Sequence, residues 1–314
     1  MPTRKCTGRR YVPTAGPSHE RALNTLRPLG LPCCTVNDAN MSGYYPAMKE
    51  CGLLLRTLVV LDRELSSFYA RSSMVGDHES FDPADFPWVA AVEADWRKVR
   101  AELDALLPYA AHMQNFQVST DQKQLSQDDG WKTFFFYAYG LKAAGNCRRC
   151  PKTTKLLQQI PGMKTAFFSI LAPGKHLPPH FGPYKGVLRL HLGLLIPEPA
   201  EMCAIRVGSL IRHWQEGRVM IFDDRFEHEA WNRTDGVRVV LFVDIMRPMR
   251  FPANVLNAVL TWAIAFSPSV LGSFGNYLRW EKRFEAVVNQ GAARLGPYEG
   301  VLAAPALWPR RCRN

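Results

Sequence analysis

Two stretches of strict alternation constrain the fold of this chain more than any other feature of its sequence. In residues 187–196 every second residue from Leu188 onward is aliphatic, and Arg189 and His191 fall between them. Residues 237–245 repeat the pattern, with Arg238 at an intervening position. Because successive side chains of a strand point to opposite faces, each stretch predicts a strand with one packed face and one face that carries chemistry.

Short strands dominate the centre of the predicted fold. Polar turns separate five candidate strands, at residues 165–171, 187–196, 204–208, 218–222 and 237–246. Apolar residues spaced three or four apart from Val89 to Leu106 predict a helix outside the sheets, and residues 153–160 predict a second, short helix. We therefore expect a mainly β fold with flanking helices and a double-stranded β-helix core, the jelly-roll arrangement of the cupins.

Two histidines occupy sequence contexts that suit metal ligands at the mouth of such a barrel. His180 follows two prolines in a turn ahead of one predicted strand, and His228 follows another strand. Either histidine alone is more typical of a structural residue. An inward Arg238 near them favours a site, because a buried guanidinium needs an anion and matches a carboxylate through two hydrogen bonds. The histidine pair therefore predicts a redox-active iron site.

Other candidate ligands compete with this pair. His176 is the main rival, although the two prolines after it predict extended chain rather than a helical turn that would join it to His180. Asp223 and Asp224 are carboxylates at a strand end, where a turn-capping role is more typical than a metal ligand. Cys147 and Cys150 have no second cysteine pair at the spacing of a structural zinc site.

Several segments occur in the order typical of one known family. They are Gly130-Trp131-Lys-Thr-Phe134, Cys150-Pro-Lys-Thr-Thr154, Phe168-Ser169-Ile-Leu-Ala-Pro-Gly174, His180-Phe-Gly-Pro183, Leu188-Arg189-Leu-His191-Leu-Gly-Leu194, Trp214-Gln-Glu-Gly217, Ile221-Phe-Asp-Asp224, Phe226-Glu-His228-Glu and Phe242-Val-Asp244. Through them the chain resembles the aspartyl/asparaginyl β-hydroxylases and their bacterial relatives, which are Fe(II)- and 2-oxoglutarate-dependent dioxygenases. The resemblance implies hydroxylation of an aliphatic carbon near a carbonyl, with O2 as the second cosubstrate.

The resemblance also implies a role for each residue of the predicted site. His180 and His228 would bind Fe(II), and both would be catalytic together with Arg238. Arg238 and Ser169 would hold the far carboxylate of 2-oxoglutarate, and His191 would lie at the other end of the cosubstrate. Arg189 would face the substrate.

Gly182 is a notable departure from the usual iron site of such oxygenases. It stands where most of them place an aspartate or glutamate, so the resemblance implies an iron with two protein ligands. On this interpretation Gly182→Asp should be tolerated for iron binding, because it restores two histidines and one carboxylate.

The sequence leaves three functions open. The main one is hydroxylation of an aspartyl or asparaginyl side chain in a peptide or amino acid, although Val187 stands where animal peptide hydroxylases carry a second basic residue. The alternative is 2-hydroxylation of a lipid acyl chain, of lipid A or ornithine-lipid type. The lipid A acyl-chain 2-hydroxylases share the Cys150-Pro-Lys-Thr-Thr154 segment and the Arg247-Pro248 ending, but usually have an acidic residue at the Gly182 position. A cupin-like binding protein without catalysis is the third.

The chain divides into four predicted parts. Residues 1–79 form a basic N-terminal region, expected to be a flexible tail with a short helix. Residues 80–250 form the oxygenase domain, residues 251–290 a C-terminal helical segment, and residues 291–314 a tail. Eight scattered cysteines and the absence of a clear signal peptide predict a cytoplasmic location.

The C-terminal segment contains an uncharged tract, residues 251–278, with basic residues on both sides. It predicts either peripheral contact with the inner face of the membrane or a helix packed on the barrel or at a dimer interface. The formal net charge of +11 indicates general affinity for anions. No nucleic-acid-binding motif accompanies that charge, so we expect no specific nucleic-acid partner.

Overall fold

The structure, a computed structural model, describes residues 53–116 and 128–294. Every side-chain contact given below lies among the described residues from Leu61 onward, within one compact unit. The helices are α1 (Leu53–Ser72), α2 (Val89–Ala94), α3 (Trp96–Leu106), α4 (Ala144–Arg149), α5 (Pro151–Gln158), α6 (Ala253–Ala265) and α7 (Pro268–Arg294). Short 3-10 turns lie at Pro83–Asp85, Leu107–His112 and Ala200–Met202.

Twelve strands in the described residues form two antiparallel sheets. They are β1 (Ser80–Phe81), β2 (Gln114–Asn115), β3 (Trp131–Ala138), β4 (Leu141–Lys142), β5 (Met163–Leu171), β6 (His176–His180), β7 (Val187–Leu195), β8 (Cys203–Val207), β9 (Leu210–His213), β10 (Val219–Phe222), β11 (His228–Asn232) and β12 (Arg238–Met246). The larger sheet has the order β1-β10-β7-β12-β5-β3-β2, with β4 paired to β3, and the smaller has the order β6-β11-β8-β9. One apolar core includes residues of both sheets.

This architecture confirms the predicted mainly β fold with flanking helices and a double-stranded β-helix core. All five predicted strands are present, as β5, β7, β8, β10 and β12, with ends displaced by no more than two residues. The predicted short helix is α5. The longer predicted helix is divided at Asp95 into α2 and α3. Its aliphatic positions are buried as expected, and Trp96 is partly buried.

The alternation of β7 fixes which residues enter the core and which face the site. Leu188, Leu190, Leu192 and Leu194 are fully buried on one face. On the other face, His191 lies opposite Phe242 of β12, and Arg189 lies opposite Asp244. Because β12 also pairs with β5, the polar positions of three neighbouring strands share one inner surface.

Seven of the twelve described strands were not predicted, and three of them, β3, β6 and β11, have a clear physical explanation. Strand β3 is buried along nearly its whole length, so it shows no polar alternation to detect. Strand β6 contains Pro178 and Pro179, which normally argue against a strand. It is an edge strand of the smaller sheet, where missing backbone donors are tolerated. Strand β11 begins at His228, so both candidate ligands belong to strands, and the expectation that they lie in turns was wrong.

The region before residue 80 is more ordered than the sequence indicated where the structure describes it. Helix α1 extends over twenty residues, longer than the short helix expected there. Tyr69 on this helix is fully buried against Met249 and Ala253. The Met74 amide also donates to the Pro248 carbonyl at 2.9 Å. Residues 61–79 therefore pack with the catalytic core, while the expected flexible tail at residues 1–52 lies outside the described residues.

The C-terminal segment forms two helices, α6 and α7. Among the described helices, none is long and apolar enough to cross a membrane by itself. By length and composition alone, α6 and α7 pass that test as a pair, bent by 55° at the break between them. Residues 295–314, most of the predicted tail, lie outside the described residues.

The central position of β7 gives a stability prediction. Leu190→Ala should lower the free energy of unfolding by about 2–5 kcal/mol, because it leaves a cavity between the sheet and its covering helices. Leu210→Ala is the matched control, since Leu210 lies on the exposed strand β9 and its loss should cost within about 0.5 kcal/mol. Urea unfolding of both variants measures the difference, and equal losses would contradict the burial argument.

Candidate active site

The two candidate metal ligands lie directly opposite each other across the pairing of β6 and β11. His180 pairs with His228 in the strand register, and their ring centroids are 4.1 Å apart. Each ring directs Nδ1 toward a backbone carbonyl two residues earlier, at 2.7 Å for Pro178 and 3.1 Å for Phe226. Since a carbonyl only accepts, the proton belongs on Nδ1, and Nε2 of each ring keeps a lone pair for a metal.

Electrostatics keep both imidazoles neutral, which is the form that binds metals. Burial lowers the pKa of His180 to about 4. The pKa of His228 is well below its ordinary value, first because of burial and then because of neighbouring His180 and Arg189. The two side chains therefore fit a metal that accepts nitrogen ligands.

A third protein ligand is not available in the described residues. Residues 53–116 and 128–294 contain no group of three or more histidine, cysteine, aspartate or glutamate side chains placed to hold a metal ion. Cys147 and Cys150 are both buried thiols outside this site. His176, the rival ligand, is half exposed and lies 2.8 Å from Glu229 in a surface pair. A metal here would have two histidine ligands.

Asp224 occupies the space beside Gly182. A Cβ atom added to Gly182 would lie 2.0 Å from Oδ2 of Asp224. The Gly182 amide also donates to the Asp224 backbone carbonyl at 2.6 Å, which holds the two chain segments together. The expectation that Gly182→Asp is tolerated for iron binding stays a prediction, but the structure opposes it sterically, because the new side chain would collide with a carboxylate already there.

The two neighbouring aspartates have different roles. Asp223 caps the turn as expected, accepting from the Arg225 amide at 2.9 Å, and it also pairs with Arg247. Asp224 points into the site instead. Burial raises the pKa of Asp224 to about 6, against the opposing effect of Arg189. Its Oδ2 lies 2.8 Å from Arg189 Nη2, yet neither oxygen accepts a well-aligned hydrogen bond from the described residues.

Arg189 is enclosed by two carboxylates. Besides Asp224, it contacts Asp244, with Nε 3.1 Å from Oδ1, and its guanidinium lies 4.3 Å from the centre of the Phe242 ring. Burial by itself would lower the pKa of Arg189, but the two aspartates outweigh it and the pKa is raised. The side chain is at the site as the resemblance implies, but its charge is already balanced.

Arg238 differs from Arg189, because no carboxylate of the described residues balances its charge. It is 2% exposed, and none of the described residues forms an ion pair with it. Nη1 lies 3.4 Å from both the carbonyl and the hydroxyl of Ser169, and the guanidinium stacks 4.6 Å from the centre of the Trp214 ring. Burial lowers the pKa of Arg238 to about 10. A buried cation with such weak partners is costly unless an anion binds it.

His191 lies between the histidine pair and Arg238. Its ring is 5.1 Å from Phe222 and 5.1 Å from Phe242, and Phe222 is 6.0 Å from His228. Trp214 Nε1 donates to His191 Nδ1 at 3.3 Å, which leaves the imidazole proton on Nε2. Burial lowers the pKa of His191 well below its ordinary value. The ring is a neutral donor aimed into an aromatic enclosure.

Unsatisfied polar atoms concentrate here. Five buried side-chain atoms in the described residues have no hydrogen-bond partner, and four belong to this site: Nε2 of His191, both carboxylate oxygens of Asp224 and Nε of Arg238. Buried polar atoms are normally satisfied, so a cluster of exceptions marks a place where a polar ligand binds. The residues present therefore fit both a metal ion and an anion.

Sequence reasoning missed several residues of this site. Trp214 supports both Arg238 and His191, and Trp131 donates to the Ser169 hydroxyl at 2.9 Å. Asp244 was given no function, and Asp224 was expected to cap a turn. All four lie in segments that carry the family resemblance, which is the signal that could have identified them.

Comparison with known proteins agrees with this geometry. The family model for aspartyl/asparaginyl beta-hydroxylase matches residues 93–248. The ornithine lipid ester-linked acyl 2-hydroxylase of Rhizobium tropici is 43% identical over 272 residues, covering 83% of this chain and 96% of that protein. The chain belongs to the aspartyl/asparaginyl β-hydroxylase family. These hydroxylase relatives support an enzyme that hydroxylates.

Two other similarities cover a smaller share of this chain. Human aspartyl/asparaginyl beta-hydroxylase is 34% identical over 169 residues, which is 52% of this chain but 22% of the human protein. A cupin 2 conserved barrel domain protein from Salinispora arenicola aligns with a TM-score of 0.27 and 11% identity, over 45% of this chain and 94% of that one. That score is too low to support an argument about the fold, which rests on the strand pairing.

The contact between Gly182 and Asp224 gives a second prediction. Gly182→Ala should destabilise the protein by about 1–3 kcal/mol, because the methyl group must displace a buried carboxylate. Adding Asp224→Ala should recover part of that loss, since the two residues are in contact. Gly272→Ala is the control, because nothing lies within 4 Å of the added Cβ. Thermal unfolding compares the variants, and an unchanged midpoint for Gly182→Ala would exclude the steric argument.

Proposed function

We propose that this enzyme is an Fe(II)- and 2-oxoglutarate-dependent dioxygenase. The observation that carries the proposal is Arg238, a buried guanidinium with no ion pair among the described residues. It acts electrostatically on His191, which in turn neighbours His228 of the neutral histidine pair. A dicarboxylate that binds iron at one end and a guanidinium at the other matches both requirements. The chemistry supplied by the iron and its cosubstrates is insertion of one oxygen atom of O2 into a C–H bond, while the other enters succinate as CO2 leaves.

The residues of the chain have separate tasks in this proposal. His180 and His228 hold the iron through Nε2, oriented by the carbonyls that accept from Nδ1. Arg238 and Ser169 bind the distal carboxylate of 2-oxoglutarate, and Nε2 of His191 offers a further donor to the cosubstrate. Trp214, Phe222 and Phe242 surround these groups and exclude water, which strengthens the charged contacts.

Asp224 places a carboxylate next to Gly182, which has no side chain of its own. It sits beside the Gly182 backbone without a fully satisfied oxygen. We infer that it accepts a hydrogen bond from water in the site rather than completing a protein triad. This arrangement leaves more room around the iron than a third protein ligand would.

We further propose that the substrate is an ester-linked acyl chain of an ornithine-type lipid, hydroxylated at carbon 2. The similarity to the Rhizobium tropici acyl 2-hydroxylase over nearly its whole length supports this choice. Arg189 supports it as well, because its charge is balanced by Asp224 and Asp244 and offers little to an acidic peptide side chain. Val187 adds no second positive charge there. Hydroxylation of a peptide or amino acid is the competing candidate.

The cosubstrate assignment predicts the behaviour of Arg238→Lys. Lysine keeps the positive charge but loses the two-pronged geometry, so the concentration of 2-oxoglutarate needed for half-maximal turnover should rise at least about tenfold, or about 1.4 kcal/mol. Succinate release measures the effect. Arg212→Lys, on an exposed strand, serves as the matched control, and His228→Ala should give no iron-dependent release. An unchanged requirement in Arg238→Lys would show that the cosubstrate binds elsewhere.

The substrate assignment is tested by mass spectrometry on the purified enzyme with Fe(II), ascorbate and 2-oxoglutarate. We expect ornithine lipid to gain one oxygen atom, located on the fragment of the ester-linked acyl chain. A peptide containing aspartate and asparagine should remain unchanged under the same conditions. Oxygen on the peptide and none on the lipid would contradict the lipid proposal and support the competing candidate.

A further inference from the structure

Helix α6 presents an apolar face to the outside of the protein. The large side chains on that face, with Phe251 just before the helix, are between half and four-fifths exposed: Phe251 80%, Val255 52%, Val259 56%, Trp262 65% and Phe266 51%. They recur three or four residues apart, which places them on one side of the helix. We call these five residues the α6 apolar face.

The opposite side of α6 carries small or polar residues, and these residues are buried. Ala253, Asn257, Thr261 and Ala265 make up this side. A surface helix of a soluble protein normally buries its large apolar residues and exposes its polar ones. Helix α6 reverses that arrangement, so packing on the barrel does not account for its large apolar residues.

The buried side of α6 is attached to the active-site loop. Asn257 Nδ2 donates to the Gly186 carbonyl at 2.7 Å, and the Tyr184 hydroxyl donates to Asn257 Oδ1 at 2.7 Å. Tyr184 and Gly186 belong to the segment between β6 and β7. This segment begins directly after His180 and includes Gly182. The α6 apolar face is thus on the outer side of a helix whose inner side holds the loop next to the proposed iron.

Charge indicates the chemistry of the partner. Residues 251–278 contain no charged side chain. Exposed arginine and lysine residues flank the tract, with Arg250 before it and Arg279, Lys282 and Arg283 after it. Glu281, within the second flank, is buried against the Asn146 amide and does not offset them. An exposed apolar face in a tract that has cations on both sides in the sequence is complementary to a membrane that contains anionic lipids.

Size argues against a second copy of the chain as the partner. A helix of thirteen residues is about 20 Å long and about 10 Å wide, so its outer face is small compared with the roughly 800 Å² per partner of a stable protein interface. Shallow insertion of a single helix face requires no such area. Aromatic side chains such as Trp262 are also favoured at the level of lipid headgroups.

We propose that the α6 apolar face binds an anionic membrane surface, with the helix lying in the plane of the interface. The enzyme is then a peripheral membrane protein, and its active-site loop is held next to the source of acyl chains. The identity of the acyl substrate rests on the proposed function above. The membrane contact itself rests on the exposure, charge and attachment of α6.

Vesicle binding of the full-length protein tests this proposal. Vesicles of phosphatidylcholine with phosphatidylglycerol should bind the protein more tightly than vesicles of phosphatidylcholine alone. Val259→Glu should weaken binding to the anionic vesicles at least about tenfold, since it removes apolar contact and adds repulsion. Ile211→Glu is the matched control, because Ile211 and Val259 are both 56% exposed but Ile211 lies on β9. Ile211→Glu should bind like the wild type.

The outcomes separate this inference from the proposed function. Hydroxylation of ornithine lipid dispersed in detergent should persist in Val259→Glu, and its thermal unfolding should match that of Ile211→Glu. Equal vesicle binding by the two variants, or no binding by the wild type, would overturn the membrane contact whatever the activity. A dimer in analytical ultracentrifugation that Val259→Glu dissociates would assign the face to a second copy instead. Normal vesicle binding without lipid hydroxylation would overturn the proposed substrate and leave the membrane contact standing.

Discussion

The requirement that a buried positive charge be compensated organises the centre of this protein. Arg238 and Arg247 are buried near the site, and Arg189 is largely enclosed there with 16% of its side chain exposed; each meets the requirement differently. Arg247 pairs with Asp223 and donates to the Lys185 carbonyl, so it holds two chain segments together. Arg189 is balanced by Asp224 and Asp244. Arg238 alone among the three has no ion pair in the described residues. That difference separates two structural arginines from one that is suited to bind an anion.

The second constraint is steric, and it concerns the metal. Strand pairing places His180 opposite His228, and the Gly182 amide is tied to the strand end at Asp224. The Asp224 carboxylate then fills the volume that a side chain at position 182 would need. A glycine at this position is therefore required by packing, and the carboxylate reaches the site from another part of the chain. The histidine pair and the carboxylate can thus act without forming a conventional triad of ligands.

The site and the surface of the protein are connected through one short segment. The loop after His180 contains Gly182, Tyr184 and Gly186, and the last two are held by Asn257 of α6. The same helix carries large apolar side chains on its outer face. A partner that binds the outer face of α6 is therefore separated only by this helix from the loop that borders the proposed iron. If the proposed acyl substrate is correct, this proximity gives a physical reason for the enzyme to combine a polar, enclosed site with an exposed apolar helix.

The sequence by itself determined the strands that carry the site. Alternation in β7 and β12 showed which residues face inward, because the side-chain period of a strand is two. It also led to His191 and Arg238, while the sequence contexts of His180 and His228 marked those two as candidate ligands. The structure brings all four into one region. Strand β3 could not be recognised because it is buried on both faces, and β6 was hidden by prolines that only an edge position tolerates. Tertiary structure decided three other features. These are the contact of Gly182 with Asp224, the neutralisation of Arg189 and the outward apolar face of α6. Each depends on segments distant in sequence coming together, and no local pattern of residues encodes that approach.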